Sequence, residues 1–291
     1  MSSEQRTGAL YIFLSVCGYS LLPIWVKTIQ ASGMNSLDIV LWRFVLAAPI
    51  FWLIVSRMRG GDSARPLPYM RLIGMGTLLM IAATAAVWGL ERLPAGPYVV
   101  LFYTYPALVA ILSALLGERL SGRGWAALAL TTVGIVLTVP DFGVGLSDSD
   151  LTGVLLALIN ALVVAFYFIL SSRLLRGHTA LARASATSVT GAMLALIVLL
   201  PLRGGAALPQ GAETWLSIVA LATLSTVLPV FFMNAGIQKV GAPRAAILGT
   251  VEPLLTALLA AIFLGEQMLP VQLVGGAFIL ASVLLLQTQR R

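Results

Sequence analysis

Two charged residues stand inside apolar runs where charge is expensive. Glu252 is the one acidic residue well inside such a run, AAILGTVEPLLTALLAAIFLGE. A carboxylate there must be paired, hydrated or protonated, so its presence points to work on a proton or a cationic group. The structural alternative is a carboxyl bonded to backbone that Pro253 leaves without a helical partner. Arg43 is the counterpart of opposite sign, about five residues, roughly 8 Å, from the end of its own run. Its planar fork suits a carboxylate, and its length equally lets it reach out to an interface. Tyr98, Phe102 and Tyr105 recur at i, i+4 and i+7, which sets them on one helix face as an aromatic wall. The phenolic oxygens of Tyr98 and Tyr105 argue against contact with hydrocarbon, where neither would find a partner. Asn160 and Tyr167, seven apart, form a second polar stripe that suits either a ligand or bonding between helices. Asn234 reads as a gate or a loop cap near the end of its run, and His178 as a solvated loop residue.

The elements that hold these residues are set by composition. The 291 residues are 59% hydrophobic and 10% charged, with a mean hydropathy of +0.98. That is too little charge to cover a water-facing surface, so the solvent is lipid. Ten spans are expected, near 7–26, 38–56, 69–90, 95–116, 123–140, 151–172, 181–202, 213–237, 242–264 and 269–287. Each must be helical, because backbone groups in lipid pair within their own segment. The net charge of +7 is spread over short loops and gives no nucleic-acid face. Cys17 is the single cysteine, so neither an internal disulfide nor a cysteine metal site is expected. The first run lacks a small-residue cleavage pattern and reads as a retained span. No phosphate-binding GxxxxGK[ST] loop and no nucleophile or metal-ligand constellation occurs, so no enzyme and no cofactor are expected.

The chain repeats itself. Tyr98 to Glu118 lies on Ala245 to Glu266, with a central proline in each (Pro106, Pro253) and Gly-Glu at each end (Gly117-Glu118, Gly265-Glu266). Two five-helix repeats follow, 1–142 and 143–291. With the N-terminus in the cytoplasm, fourteen of the Lys and Arg residues fall on the inner side and three, Lys27, Arg92 and Arg203, on the outer. Both termini are therefore expected in the cytoplasm. Five spans is an odd number, so the second repeat must be inverted, an arrangement that sets a substrate site between the halves near the bilayer midplane. The fold class expected is an all-α integral membrane protein of ten transmembrane helices in two inverted five-helix repeats. The aromatic wall then faces small residues and an acid, since the repeat carries Tyr98, Phe102 and Tyr105 onto Ala245, Gly249 and Glu252.

Gly117-Glu118-Arg119 after a span with a central proline, its copy Gly265-Glu266-Gln267, and Trp42-Arg43-Phe44 early in span two resemble the drug/metabolite transporter superfamily. Within it the whole chain resembles the ten-span EamA-type exporters, and among these the bacterial amino-acid exporters, aromatic amino-acid exporters included. The first half departs from the symmetry, with no Glu or Asp to match Glu252. The resemblance implies spans one to four and six to nine around a central cavity, with spans five and ten outside. It implies export of amino acids, aromatic or hydrophobic ones favoured, or similar small metabolites across the bacterial inner membrane by alternating access. Export of amphipathic cationic drugs and passive conduction are the alternatives. The substrate-binding set expected is Arg43, Tyr98, Phe102, Tyr105, Asn160, Tyr167 and Glu252, with Pro106 and Pro253 as hinges. Its partners are a small-molecule substrate, the lipid bilayer and protons.

In a Cys17→Ser background, a cysteine at Ser147 should react with an impermeant reagent from outside the cell, and one at Ser63 only after permeabilisation. Labelling of both from one side would refute the inverted arrangement.

Overall fold

The computed structural model describes residues 3–58, 66–92, 95–117, 120–138, 151–264 and 269–287. The described residues are mainly helical, with no strand among them. The helices are α1 (Ser3–Ser20), α2 (Leu22–Ala31), α3 (Ser36–Arg57), α4 (Tyr69–Arg92), α5 (Ala95–Phe102), α6 (Tyr105–Leu115) and α7 (Gly122–Thr138). After the 139–150 segment come α8 (Leu151–Leu174), α9 (Leu181–Leu199), α10 (Ala212–Ala222), α11 (Leu228–Val240), α12 (Ala242–Gly249), α13 (Glu252–Leu264) and α14 (Pro270–Gln287). A 3₁₀ turn, Leu200–Arg203, ends α9, and a π-helical turn, Thr223–Val227, joins α10 to α11.

Seven helical segments are long and apolar enough to cross a membrane, and Gly122–Leu137 and Leu273–Leu285 are shorter apolar helices. The expected spans fall mainly on helix over their described residues, with turns at Leu21, Tyr103-Thr104 and Thr250-Val251 inside three of them. The Gly-Glu ends at Glu118 and at Gly265-Glu266 lie outside the described residues, as does the 141–150 loop.

The helices expected to kink at Pro106 and Pro253 are instead broken. α5 stops at Phe102 and α6 starts at Tyr105, while α12 stops at Gly249 and α13 starts at Glu252. The physical reason is local. Proline has no N–H to give to the carbonyl four residues back, and that loss costs nothing in the first turn of a new helix. The Thr104 carbonyl accepts from the Ala107 and Leu108 N–H groups at 3.0 and 3.2 Å, which closes the first turn of α6. Pro23 starts α2 in the same way and divides the first span after Ser20.

Packing is by pairs. α1 lies on α11, α4 is clasped by α8 and α9, and α7 lies on α14, where Thr131 Oγ1 donates to Ser282 Oγ at 2.7 Å. Without a hydrophobic force between helices in lipid, close backbone approach and hydrogen bonds hold such pairs. The α4–α9 contact depends on two glycines that face each other's helix. A Cβ on Gly76 would run into the Ser188 carbonyl, and one on Gly191 into the Ile73 carbonyl. Gly74, two residues from Gly76 on α4, has nothing within 4 Å of that position.

The pair makes a controlled test. Gly76→Ala should destabilise by about 1–3 kcal/mol through overpacking. Gly74→Ala should be neutral or gain up to about 1 kcal/mol of helix propensity. Melting temperatures of the detergent-solubilised variants would check this; equal shifts would show that α4 and α9 do not meet at Gly76.

Candidate functional site

The helix breaks converge on a cavity of about 200 Å³. Its wall comes from α1, α3, α4, α5, α6, α8, α11, α13 and the π turn, and includes Arg43, Phe102, Tyr105, Asn160, Tyr167 and Glu252. The α7–α14 pair and α9 contribute no described side chain to it. Tyr98 stands behind the wall, with its hydroxyl accepting from Asn160 Nδ2 at 2.7 Å. Phe102, one turn further along the same helix, lines the cavity, and so does Tyr105 past the turn at Tyr103-Thr104.

Arg43 reaches inward, across to the π turn. Nε donates to Thr226 Oγ1 at 2.7 Å and Nη2 to the Ser225 carbonyl at 3.0 Å, with Cζ 5.4 Å from the Phe44 ring centroid. That carbonyl is available because its helical donor would be the N–H of residue 229, which is Pro229. Ser225 Oγ in turn donates to the Gly18 carbonyl at 2.7 Å, and Ser15 Oγ to the Pro229 carbonyl at 2.8 Å, which ties α1 to the same region. The guanidinium of α3 is thus held by the π turn between α10 and α11.

Glu252 opens α13, where the positive end of the helix dipole favours a carboxylate. Tyr103 lies beside its carboxyl, and Ser20 Oγ donates to its backbone carbonyl at 3.3 Å. Tyr19 lies within electrostatic reach of both Arg43 and Glu252. Phe102 and Tyr105 stack at 5.3 Å and Tyr105 meets Phe168 at 5.6 Å, forming the apolar side of the cavity. Tyr105 also donates to the Ala246 carbonyl at 3.2 Å and lies against Gly249, so the aromatic wall of one broken helix closes on the small residues of the other.

Tyr167 leads away from the cavity into a buried polar cluster. Its hydroxyl donates to Asn234 Oδ1 at 3.1 Å, Ser171 Oγ donates to the same oxygen at 2.7 Å, and Asn234 Nδ2 donates to Ser185 Oγ at 2.9 Å. Asn234 is fully buried in the middle of α11, and so it is not a loop cap. Beyond this cluster a second cavity, about 350 Å³, opens beside Tyr11, Phe231, Arg183 and Lys239.

Sequence reasoning missed Tyr19, Tyr103 and the Ser225-Thr226 turn. A proline in the first turn of α6 was the available sign that Tyr103 lies at a break. Two hydroxyl residues three and four before Pro229 were the sign for the turn. Nothing local marks Tyr19.

Membrane-length apolar helices around a cavity with a cation, a carboxylate and stacked rings are the frame of a membrane transporter. Among the described residues no group of three His, Cys, Asp or Glu is placed to hold a metal. The chain belongs to the EamA-like transporter family, whose model matches residues 6–139 and again residues 151–288. It is 30% identical over 275 residues to the threonine/homoserine exporter RhtA of Escherichia coli (strain K12), covering 91% of this chain and 85% of that protein. It is 25% identical over 281 residues to the transporter YcbK of Bacillus subtilis (strain 168), covering 94% of this chain and 90% of the other. A solved crystal structure superimposes over 97% of this chain and 96% of its own with a TM-score of 0.79 at 17% identity, a likeness of fold.

The polar cluster is open to a direct test. Asn234→Leu leaves three hydroxyls without their amide and should cost about 1–3 kcal/mol. Ser172→Ala removes a hydroxyl bonded only to the Ile169 carbonyl of its own helix and should cost a few tenths. Thermal unfolding in detergent would separate the two; equal losses would show that the Asn234 bonds do not hold α8, α9 and α11 together.

Proposed function

We propose that this protein exports a small amino acid across the plasma membrane by alternating access. The observation that carries the reading is that Arg43 and Glu252, charges of opposite sign, face one small cavity. A zwitterion needs both ends met. The guanidinium takes the carboxylate and Glu252 takes the ammonium, while the side chain lies along Phe102 and Tyr105. That apolar side suits hydrophobic or aromatic side chains. At about 200 Å³ the cavity is below the roughly 300–1,000 Å³ usual for drug-sized ligands, which favours an amino acid over an amphipathic drug. The similarity to an exporter named for threonine and homoserine supports the same class.

The working arrangement is ten transmembrane helices in two inverted repeats, 1–142 and 143–291, with both termini cytoplasmic. The two cavities are then the two mouths of one path, with the Asn234 cluster and the Tyr11, Phe231 and Phe232 rings between them. Pro106 and Pro253 mark the breaks about which one repeat rocks on the other. Glu252 carries a proton when no ammonium is bound, which couples export to the proton gradient.

Counterflow of labelled amino acids in proteoliposomes tests this. The wild type should show saturable exchange. Arg43→Gln and Arg43→Lys should each weaken all amino acids alike by about tenfold or more, the lysine because it keeps the charge and loses the fork. Glu252→Gln should abolish the response to an imposed proton gradient. Conductance without saturation, or movement of lipophilic cations and of no amino acid, would overturn the reading.

A further inference from the structure

Most of the polar side chains that line the cavity among the described residues are buried: Tyr105, Asn160, Tyr167 and Thr226. Three are only half buried and can be reached from the cavity they line, Arg43, Glu252 and Tyr19. The first two carry the charges that meet a zwitterion. Tyr19 is the neutral member of the set.

The chain fixes Tyr19 from both sides. The carbonyl of Gly18, the residue before it, accepts from Ser225 Oγ at 2.7 Å, and the Ser225 carbonyl in turn holds Arg43 Nη2 at 3.0 Å. A Cβ on Gly18 would run into the Leu224 carbonyl and the Pro229 ring, so glycine at that position is what brings α1 this close to the π turn. Ser20, the residue after it, donates to the Glu252 carbonyl at 3.3 Å. Tyr19 is thus carried between the turn that holds the cation and the residue that bears the carboxylate, within electrostatic reach of both.

Arg43 meets a ligand with one edge of its guanidinium already spent. Nε donates to Thr226 Oγ1 and Nη2 to the Ser225 carbonyl. An ionised carboxylate offers about four acceptor sites, and one guanidinium edge fills two of them. Away from water the others need donors as well. A phenol supplies one O–H and, unlike a second cation, brings no further charge to be desolvated. We infer that the Tyr19 hydroxyl, positioned by Gly18 and Ser20, donates to the substrate's carboxylate beside Arg43. This rests on the amino-acid reading above and deepens it. The carboxylate is met by a cation and a neutral donor from two different helices, so α1 and α3 must both be in place before it is fully bonded.

Tyr19→Phe keeps the ring in the wall and removes the donor alone. In counterflow with the full-length protein in proteoliposomes, the apparent affinity for leucine should weaken by about tenfold or more. Valine and phenylalanine should weaken by the same factor, since the carboxylate is common to all three. Isopentylamine, which is leucine without its carboxylate, should inhibit the wild type and Tyr19→Phe alike. The melting temperature without substrate should match that of the wild type, because the hydroxyl removed serves the ligand. Ser20→Ala unties the segment from α13 and should weaken leucine in the same direction even where Tyr19→Phe fails to insert. Leucine affinity of wild-type strength in these variants would overturn the inference and leave amino-acid export standing. So would a loss in Tyr19→Phe that extends to isopentylamine or comes with a lowered melting temperature. Failure of the wild type to move any amino acid would remove both.

Discussion

A carbonyl inside a membrane helix that loses its N–H partner has no water to turn to, and this protein is organised around the places where that happens. Pro229 leaves the Ser225 carbonyl without its helical donor, and Arg43 supplies one from another helix at 3.0 Å. The bond settles two things at once. It satisfies the backbone of the π turn, and it draws a long cationic side chain inward that would otherwise extend to an interface. π turns and proline breaks weaken a helix when taken alone. Here they supply the acceptors that pull polar side chains to the middle of the molecule.

The same logic recurs around the cavity. Ser15, Ser20, Ser225 and Tyr105 each donate to a main-chain carbonyl of a different helix, those of Pro229, Glu252, Gly18 and Ala246. Each bond lies near the end of a broken segment, where a carbonyl is accessible from the side. The two matching segments, α5–α6 and α12–α13, meet through Tyr105, so aromatic bulk in one copy is accommodated by Gly249 and Ala246 in the other. Divergence of the two halves of the family repeat thus makes the cavity asymmetric: rings on one side, Glu252 on the other.

Fixed and adjustable parts are separated in the fold. α7 and α14 pair away from the cavity, and α4 is locked to α9 through Gly76 and Gly191 with no side chain between them. The polar residues of the cavity come from the broken helices, with Glu252 and Tyr105, and from the continuous α3 and α8, with Arg43, Asn160 and Tyr167. The Asn234 cluster joins α8, α9 and α11 by short bonds among neutral groups. Such bonds are modest in strength, and they can be exchanged without moving a charge through lipid.

The sequence by itself determined the solvent, the helical class, the repeat and the identity of six residues that line the cavity, Arg43 and Glu252 among them. Composition and the spacing of apolar runs are local properties, and an intramembrane charge identifies itself wherever it stands. Arg43 and Glu252 needed no structure to be noticed, and Pro106 and Pro253 already marked interruptions. The tertiary structure decided which of these residues meet. The packing of α5 on α8 set Tyr98 behind the wall against Asn160, and the fold brought Tyr103 beside Glu252. The deciding bonds join residues 62 apart for Tyr98 and Asn160, 141 for Tyr105 and Ala246, and 183 for Arg43 and Thr226. Those partners are chosen by how closely helices can approach, set by glycines such as Gly76 and Gly89, and by which carbonyls a proline has released. Both are properties of packed pairs, and neither has a signature within a single span.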